Sequence, residues 1–223
     1  MKSILITGGA RGIGLACAKL FATKGWQVFS FDVSSPEERI DSVKHYLVDI
    51  TKPAQIRRAL KRIPQKLDVL LNNAGIIRRG TLYETTEKEW DAQMNVNLKG
   101  SWLMIKHSKP YLKRTATVMQ ISSKHGLQPQ PDPAVYCLTK VAVIALADIL
   151  EETMPSYTVK LICPGPVDTR LHRHGRTTQH LQQEREQGTL STPDDMAWRI
   201  FQLLHSSKAK LLYDVKRKKY VMR

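Results

Sequence analysis

The chain has 223 residues, 42% hydrophobic and 25% charged, proportions suited to one globular domain with a continuous core. Its longest wholly apolar run, residues 141–147, stops at Asp148, far short of the roughly 18 residues that cross a bilayer. The three cysteines, Cys17, Cys137 and Cys163, fit neither a disulfide framework nor a zinc spacing, and the formal charge of +15 draws six of its excess from residues 208–223, a pattern that reads as a solvated basic tail rather than a nucleic-acid surface.

Residues 4–7 read as a first strand, with no room before them for a cleavable leader, so the expected location is cytoplasmic. The strand runs into Thr7-Gly8-Gly9-Ala10-Arg11-Gly12-Ile13-Gly14 and then a helix over 13–24. Glycines here let the backbone turn tightly and approach a pyrophosphate, whose charge a helix N-terminus favours. The Gly-x-x-x-Gly-x-Gly spacing is one residue longer than the common dinucleotide pattern. A second strand over 27–32 ends at Asp32, eighteen residues after Gly14. A carboxylate there accepts hydrogen bonds from both ribose hydroxyls and repels a 2′-phosphate, which points to NAD. Arg11 points the other way, since a guanidinium in this loop would meet a 2′-phosphate, so NADP stays open.

Strands over 46–48, 69–71, 117–121 and 159–163 follow, alternating with helices over 53–62, 87–94, 98–108 and 136–152. The strand residues are nearly all apolar, as in strands buried on both faces. The alternation predicts an α/β fold of Rossmann type, a doubly wound parallel sheet with helices on both faces, in one domain over 1–223. Residues 170–190 break the rhythm: they are polar, include His172, His174 and His180, and show no apolar stripe. Ser191-Thr192-Pro193-Asp194-Asp195 then supplies an N-cap, a first-turn proline and first-turn acids for a helix to about Leu204, and 211–215 reads as an edge strand.

Tyr136 and Lys140 stand four apart at the start of a helix, hence on one face. A phenol with a pKa of about 10 is a poor base at neutral pH, and a nearby ammonium lowers that value. Such a pair by itself is common on helices. Tyr136-Cys137-Leu138-Thr139-Lys140 resembles the Tyr-x-x-x-Lys signature of the short-chain dehydrogenase/reductase family, and Ser123, thirteen residues earlier, stands where that family has its catalytic serine. Asn72-Asn73-Ala74-Gly75 resembles the family's motif after the fourth strand, and Asn97 the fourth member of its catalytic tetrad. Asp49, followed by Ile50, resembles the acid that meets the adenine amino group. Pro164-Gly165-Pro166-Val167-Asp168-Thr169 resembles the turn that binds the nicotinamide carboxamide.

The resemblance covers about residues 3–170, with all motifs in order. It implies hydride transfer between a nicotinamide cofactor and a carbonyl or secondary alcohol. Ser123 would orient the substrate oxygen, Tyr136 would carry the proton, Lys140 would hold the nicotinamide ribose and lower the Tyr136 pKa, and Asn97 would fix a water in a proton relay. Implied cofactor contacts are Gly8, Arg11, Gly12, Ile13, Gly14, Asp32, Asp49, Ile50, Asn73, Ala74, Gly75, Tyr136, Lys140, Pro164, Gly165, Val167 and Thr169. Residues 170–190 stand where the family has a substrate lid, and one side of the helix after Tyr136 would join a homodimer or homotetramer interface. The family's closing glycine turn is missing, replaced after Tyr213-Asp214-Val215 by Lys216-Arg217-Lys218-Lys219.

The other readings are weaker. A dinucleotide-binding regulator without turnover would ordinarily lack the tyrosine or lysine, and both are present. His172, His174 and His180 have no carboxylate or cysteine partner that completes a metal shell, so no metal is expected, and neither is a membrane or nucleic-acid partner. Arg170, Arg173 and Arg176 recur every three residues, and Arg78 and Arg79 follow the Asn-Asn-Ala-Gly motif, a pattern that suits a substrate with an anionic group.

Overall fold

The strands are β1 Ser3–Thr7, β2 Gln27–Asp32, β3 Val43–Leu47, β4 Leu67–Asn72, β5 Leu112–Ile121, β6 Thr158–Cys163, β7 Lys210–Asp214 and β8 Lys219–Met222. They form one sheet in the order β3-β2-β1-β4-β5-β6-β7-β8, in a computed structural model that describes residues 1–223. The first seven strands are parallel and β8 is antiparallel to β7. This is the doubly wound Rossmann-type arrangement that the apolar runs predict.

The helices are α1 Gly12–Thr23, α2 Pro53–Leu60, α3 Glu87–Gln93, α4 Ser101–Ser108, α5 Lys124–Leu127, α6 Ala134–Thr153, α7 Arg170–Arg173, α8 Thr178–Glu186 and α9 Pro193–Leu204. Alternate strand residues face opposite layers. Ile4 and Ile6 pack with Phe21 of α1 and Ile200 of α9, while Leu5 packs with Leu60 of α2, Met104 of α4 and Leu150 of α6. One face of the sheet is thus covered by α1 and α9, the other by α2, α4 and α6.

Three elements depart from expectation. β5 begins at Leu112 rather than near 117, because its first turn of chain carries the exposed Lys113, Arg114 and Thr115, which apolarity does not reveal. The two helices expected over 87–94 and 98–108 are joined by a π-helical turn, Met94–Gly100. Its last residue, Gly100, packs closely on Ile50: a Cβ there would sit 2.7 Å from Cδ1 of Ile50. The segment 208–223 is no solvated tail. It folds into the β7–β8 hairpin, whose turn places Lys218 at φ 50, and 211–215 is covered rather than an edge.

Candidate active site

β2 and β3 extend to one side of β1, and β4 to β7 to the other, so the chain leaves a crevice beyond the carboxyl ends of β1 and β4. A cleft of about 370 Å³ opens there. It brings together every residue expected as a cofactor or catalytic contact except Gly14 and Asn97, which do not line it. Gly14 acts from beneath. A Cβ on it would lie 2.0 Å from the Gly8 carbonyl oxygen, so glycine alone lets α1 start under the turn. Gly8 and Gly12 hold φ of +69 and +53, conformations that side chains disfavour. The N–H groups of Gly12, Ile13 and Gly14 at the start of α1 make no backbone hydrogen bond, which leaves a donor set for an anion.

The turn is held from β4. Thr7 Oγ1 accepts the N–H groups of Asn73 and Ala74 at 3.0 and 3.1 Å, and Asn73 Nδ2 donates to the carbonyls of Thr7 and Gly8 at 2.9 and 3.1 Å. Asp32 accepts the Ala10 N–H at 3.0 Å on one oxygen and the Ser34 N–H and hydroxyl, each at 3.1 Å, on the other. Arg11 donates to Ser34 Oγ at 2.6 Å, so the two residues with opposite cofactor preferences share one serine. Asp49 accepts Thr51 N–H and hydroxyl on Oδ1, at 2.8 and 2.7 Å, and keeps Oδ2 without an intramolecular partner.

At the other end Ser123, Tyr136 and Lys140 are all buried. The Lys140 ammonium donates to the Ile121 carbonyl at 2.9 Å and lies 5.6 Å from the Tyr136 ring centre. Ser122, the neighbouring candidate, donates its hydroxyl to the Lys140 carbonyl at 2.7 Å, while Ser123 caps α5 by accepting the His125 N–H at 3.2 Å. Burial pushes the Tyr136 phenol up to about 12, opposed by the Ser123 hydroxyl and not by Lys140. The Lys140 ammonium is itself pulled down to about 8 by burial. Burial thus dominates both groups and acts in opposite directions, raising the phenol and lowering the ammonium.

Asn97 is held on both sides of its amide: Oδ1 accepts the Ile76 N–H at 2.8 Å and keeps one lone pair free, and Nδ2 donates to the Ile76 carbonyl at 2.9 Å and to Thr139 Oγ1 at 3.0 Å. It pins the loop after β4 to the π-helical turn and α6. Gly75 sits against the result, since a Cβ there would lie 3.4 Å from Asn97 Oδ1 and 3.6 Å from Lys140 Nζ.

A family model described as short chain dehydrogenase matches residues 2–180. The chain belongs to the short-chain dehydrogenase/reductase family. It is 34% identical over 182 residues to dehydrogenase/reductase SDR family member 6 of Rattus norvegicus, covering 75% of this chain and 72% of that one. It is 33% identical over 186 residues to the 3-oxoacyl-(acyl-carrier-protein) reductase of Thermotoga maritima, covering 75% of each. Among solved structures it resembles a short chain dehydrogenase family protein of Francisella tularensis, with a TM-score of 0.82, 25% identity and coverage of 94% and 93%. The aldohexose dehydrogenase of Thermoplasma acidophilum gives a TM-score of 0.79 at 26% identity, covering 89% and 85%. Membership makes the protein an oxidoreductase that acts on CH–OH or C=O groups, of a family that binds a nicotinamide cofactor.

In this short-chain dehydrogenase/reductase the polar segment 170–190 is ordered by two carboxylates. Glu184 accepts His172 Nε2 at 2.5 Å and Arg176 at 3.1 Å, and Asp168 accepts Arg173 and Arg185 at 2.7 and 2.9 Å. Burial alone would raise the Glu184 carboxyl, but the His172 hydrogen bond and the charges of His172 and Arg176 outweigh it and hold it low. The arginine row does not act as one face. Arg173 is turned out onto Asp168 and Arg78 bonds the Ile77 carbonyl at 2.9 Å, and neither lines the cleft; Arg79, Arg170 and Arg176 do.

Three functional groups escaped the sequence reading. Lys124 lines the cleft directly after Ser123. Tyr213 and Tyr220 of the β7–β8 hairpin support the Gly165 turn: a Cβ on Gly165 would lie 2.5 Å from the Tyr213 ring, and the Gly165 N–H donates to the Tyr220 hydroxyl at 3.1 Å. The apolar run Tyr220-Val221-Met222 was the available signal for β8, hidden behind a run of basic residues. No helix is long and apolar enough to cross a membrane.

Proposed function

We propose that this protein transfers hydride between a nicotinamide dinucleotide and the carbon of a carbonyl or secondary alcohol, with Tyr136 as proton carrier, Ser123 orienting the substrate oxygen and Lys140 holding the nicotinamide ribose. The observation that carries this reading is one cleft with the glycine turn, Asp32 and Asp49 at one end and Ser123, Tyr136 and Lys140 at the other. The turn fits a dinucleotide, because a side chain at Gly8 or Gly12 would be strained and the first N–H groups of α1 are unpaired. A bound nicotinamide supplies or accepts the hydride. In reduction the Tyr136 phenol gives its proton to the carbonyl oxygen, and in oxidation it takes that proton back. Asn97 is taken to fix a water in a proton relay, and its bonds to Ile76 and Thr139 hold it beside Gly75.

Asp32 supports NAD over NADP, since its carboxylate is fixed at the cleft rim where a 2′-phosphate would be repelled. A homodimer or homotetramer through α6 is supported by the exposed stripe Leu138, Val141 and Ile149, whose opposite side, Val143, Ala147 and Leu150, packs on the sheet. Residues 1–223 are taken as one domain with a lid at 170–190, supported by the continuous sheet. A cytoplasmic location is supported by three unpaired, buried cysteines. The substrate is taken to be small and to carry an anionic group, because the cations that line the cleft outnumber its acids. The regulator reading lacks support, since no chemical group of the site is missing.

Tyr136→Phe tests the mechanism. Turnover of the best substrate from a panel of ketones and secondary alcohols should fall by about 10²-fold or more, with NADH affinity unchanged. Turnover at the wild-type rate would discard the proton role of Tyr136.

A further inference from the structure

The cleft is lined by two acids, Asp32 and Asp49, and both stand at its adenosine end. Its catalytic end is lined by Arg79, Lys124, Arg176, His125 and His172, with no carboxylate among them. His125 marks the centre of this group. Its ring meets the Tyr136 ring edge-on with centres 6.0 Å apart, and its Nδ1 lies 3.5 Å from Ser123 Oγ. Burial first, and then the charges of Lys124, Arg176, Arg79 and His172, push His125 down to about 4, so it is neutral at physiological pH and all four neighbours lie within its electrostatic reach.

These cations are not equally committed. Arg79 is paired with Asp132 at 3.3 Å and donates to the His174 carbonyl at 3.2 Å. Arg176 is anchored through one terminal nitrogen on Glu184, while its Nε is buried with no partner. Lys124 is half-buried and its ammonium has neither a hydrogen-bond partner nor an ion pair; the nearest charges that act on it are Arg176 and Glu184. Glu184 is already shared by Arg176, His172 and His180 and does not line the cleft. Arg170 also lines the cleft, directly after Thr169, whose methyl stands 3.1 Å from where a Gly12 Cβ would be. A partly desolvated ammonium beside an unpaired guanidinium nitrogen is costly unless an anion completes it.

We propose that Lys124 and Arg176 form the subsite for an anionic oxygen group, carboxylate or phosphate, that the substrate carries away from its reacting carbon. The inference rests on the oxidoreductase reading above and adds the residues that select the substrate. The ammonium acts as a point charge and the guanidinium as a directional donor, both in a low-dielectric pocket where a charged hydrogen bond is worth more than in water. With the anion held there and the carbonyl oxygen at Ser123 and Tyr136, the substrate is fixed at two points, which orients its reacting carbon.

The test is calorimetric titration into NADH-loaded protein of two matched pairs: methyl propyl ketone with levulinate, and hydroxyacetone with its phosphate ester. The charged member of at least one pair should bind tighter by about tenfold or more, as one or two charged hydrogen bonds allow. Whichever pair shows the advantage identifies carboxylate or phosphate. The advantage should shrink as salt is raised, disappear in Lys124→Met, return in Lys124→Arg and persist in Arg173→Ala, whose side chain faces away. Charged members that bind no tighter than neutral ones, or an advantage that survives Lys124→Met, would overturn the subsite while leaving the oxidoreductase reading intact. Wild-type protein that binds neither NADH nor NADPH would overturn both, and so tells the two failures apart.

Discussion

The glycine turn and the lid face one another across the cleft and are held by different physics. β1 is buried at every residue, and the turn after it is locked by backbone carbonyls, Thr7, Asn73 and the close passage of Gly14 beneath Gly8. The lid helices α7 and α8 bury no residue, and their order rests on Asp168 and Glu184. Steric and apolar constraints admit one shape and are indifferent to salt. Ion pairs in a half-exposed segment are screened, titrate, and exchange partners with an incoming ligand. The glycine-turn end is therefore a rigid mould, whereas the lid end is an arrangement of charges held by ion pairs.

Two glycines bring out the contrast most strongly. Gly14→Ala would force a Cβ to 2.0 Å from a backbone oxygen, so the turn or α1 must move. The expected cost is about 3 kcal/mol or more, as for severe overpacking, with NADH binding abolished. Gly188→Ala, after α8, meets nothing within 4 Å and is strained only by its φ of +63. It should cost about 1 kcal/mol and leave NADH binding unchanged. Chemical denaturation with NADH fluorescence reads both, and equal effects at the two sites would erase the distinction drawn above.

Lys140 sharpens the comparison, because at the catalytic end it is an ionisable group buried on α6 rather than carried by the lid. Burial lowers it from an ordinary value of 10.5 to about 8. Below that lowered value both folded and unfolded chains hold the proton, and the folded state bears the full cost of the buried charge. Between the two values the folded protein has released the proton and the unfolded chain has not, so stability rises with pH. Wild type should gain roughly 1–3 kcal/mol on Lys140→Met between neutral pH and about 10, measured by denaturation at each pH. A constant difference would place the Lys140 ammonium in a solvated setting instead.

The same division explains what the sequence made legible. Alternating apolar runs and the glycine spacing reported the sheet, its parallel order and the crevice, because burial and positive φ restrict residue type directly. Tyr136, Lys140 and Ser123 were legible through their motif, and the structure brings them to one wall. The lid helices, the direction of Arg173 and the commitment of Asn97 were not legible, since a hydrogen bond between residues as distant as Asn97 and Thr139 leaves no local pattern. The pairing of β7 with β8 was missed for a related reason. The turn between them is basic, and the edge-on contact of Tyr213 with Tyr220, ring centres 5.2 Å apart, joins residues that no local pattern links.

In the lid, Glu184→Gln removes the charge that anchors His172 and Arg176. Because neither lid helix buries a residue, global stability should change by less than about 1 kcal/mol. Local opening should increase, with tryptic cleavage in 170–190 about tenfold faster, corresponding to about 1.4 kcal/mol. Acid should act likewise on wild type. Glu184 is held below its ordinary 4.5, so its contribution is present above that value and lost as pH falls through the lowered one. Cleavage that is as slow in the variant as in wild type would mean that some other contact holds the lid.

The smallest expected effect lies where the rigid half borrows the lid's kind of bonding. Asp32 is held by Ala10 and Ser34, and Ser34 in turn holds Arg11, so the cofactor's ribose meets a carboxylate and a guanidinium linked by one hydroxyl. With the cofactor placed as proposed, the carboxylate would face the ribose hydroxyls and repel a 2′-phosphate, and NAD should bind tighter than NADP. Asp32→Ala deletes the repulsion, loosens Ser34 and frees Arg11 to pair with a 2′-phosphate. NAD affinity should fall and NADP affinity rise, each by several-fold, so that their ratio moves by about tenfold or about 1.4 kcal/mol. Ser34→Ala serves as the control, since it frees Arg11 but keeps the carboxylate and should shift the ratio less. Fluorescence titration of both reduced cofactors against the three proteins decides the matter. Wild-type protein that binds NADPH more tightly than NADH would show that Arg11 governs this rim and that the mould, like the lid, selects its ligand by a cation.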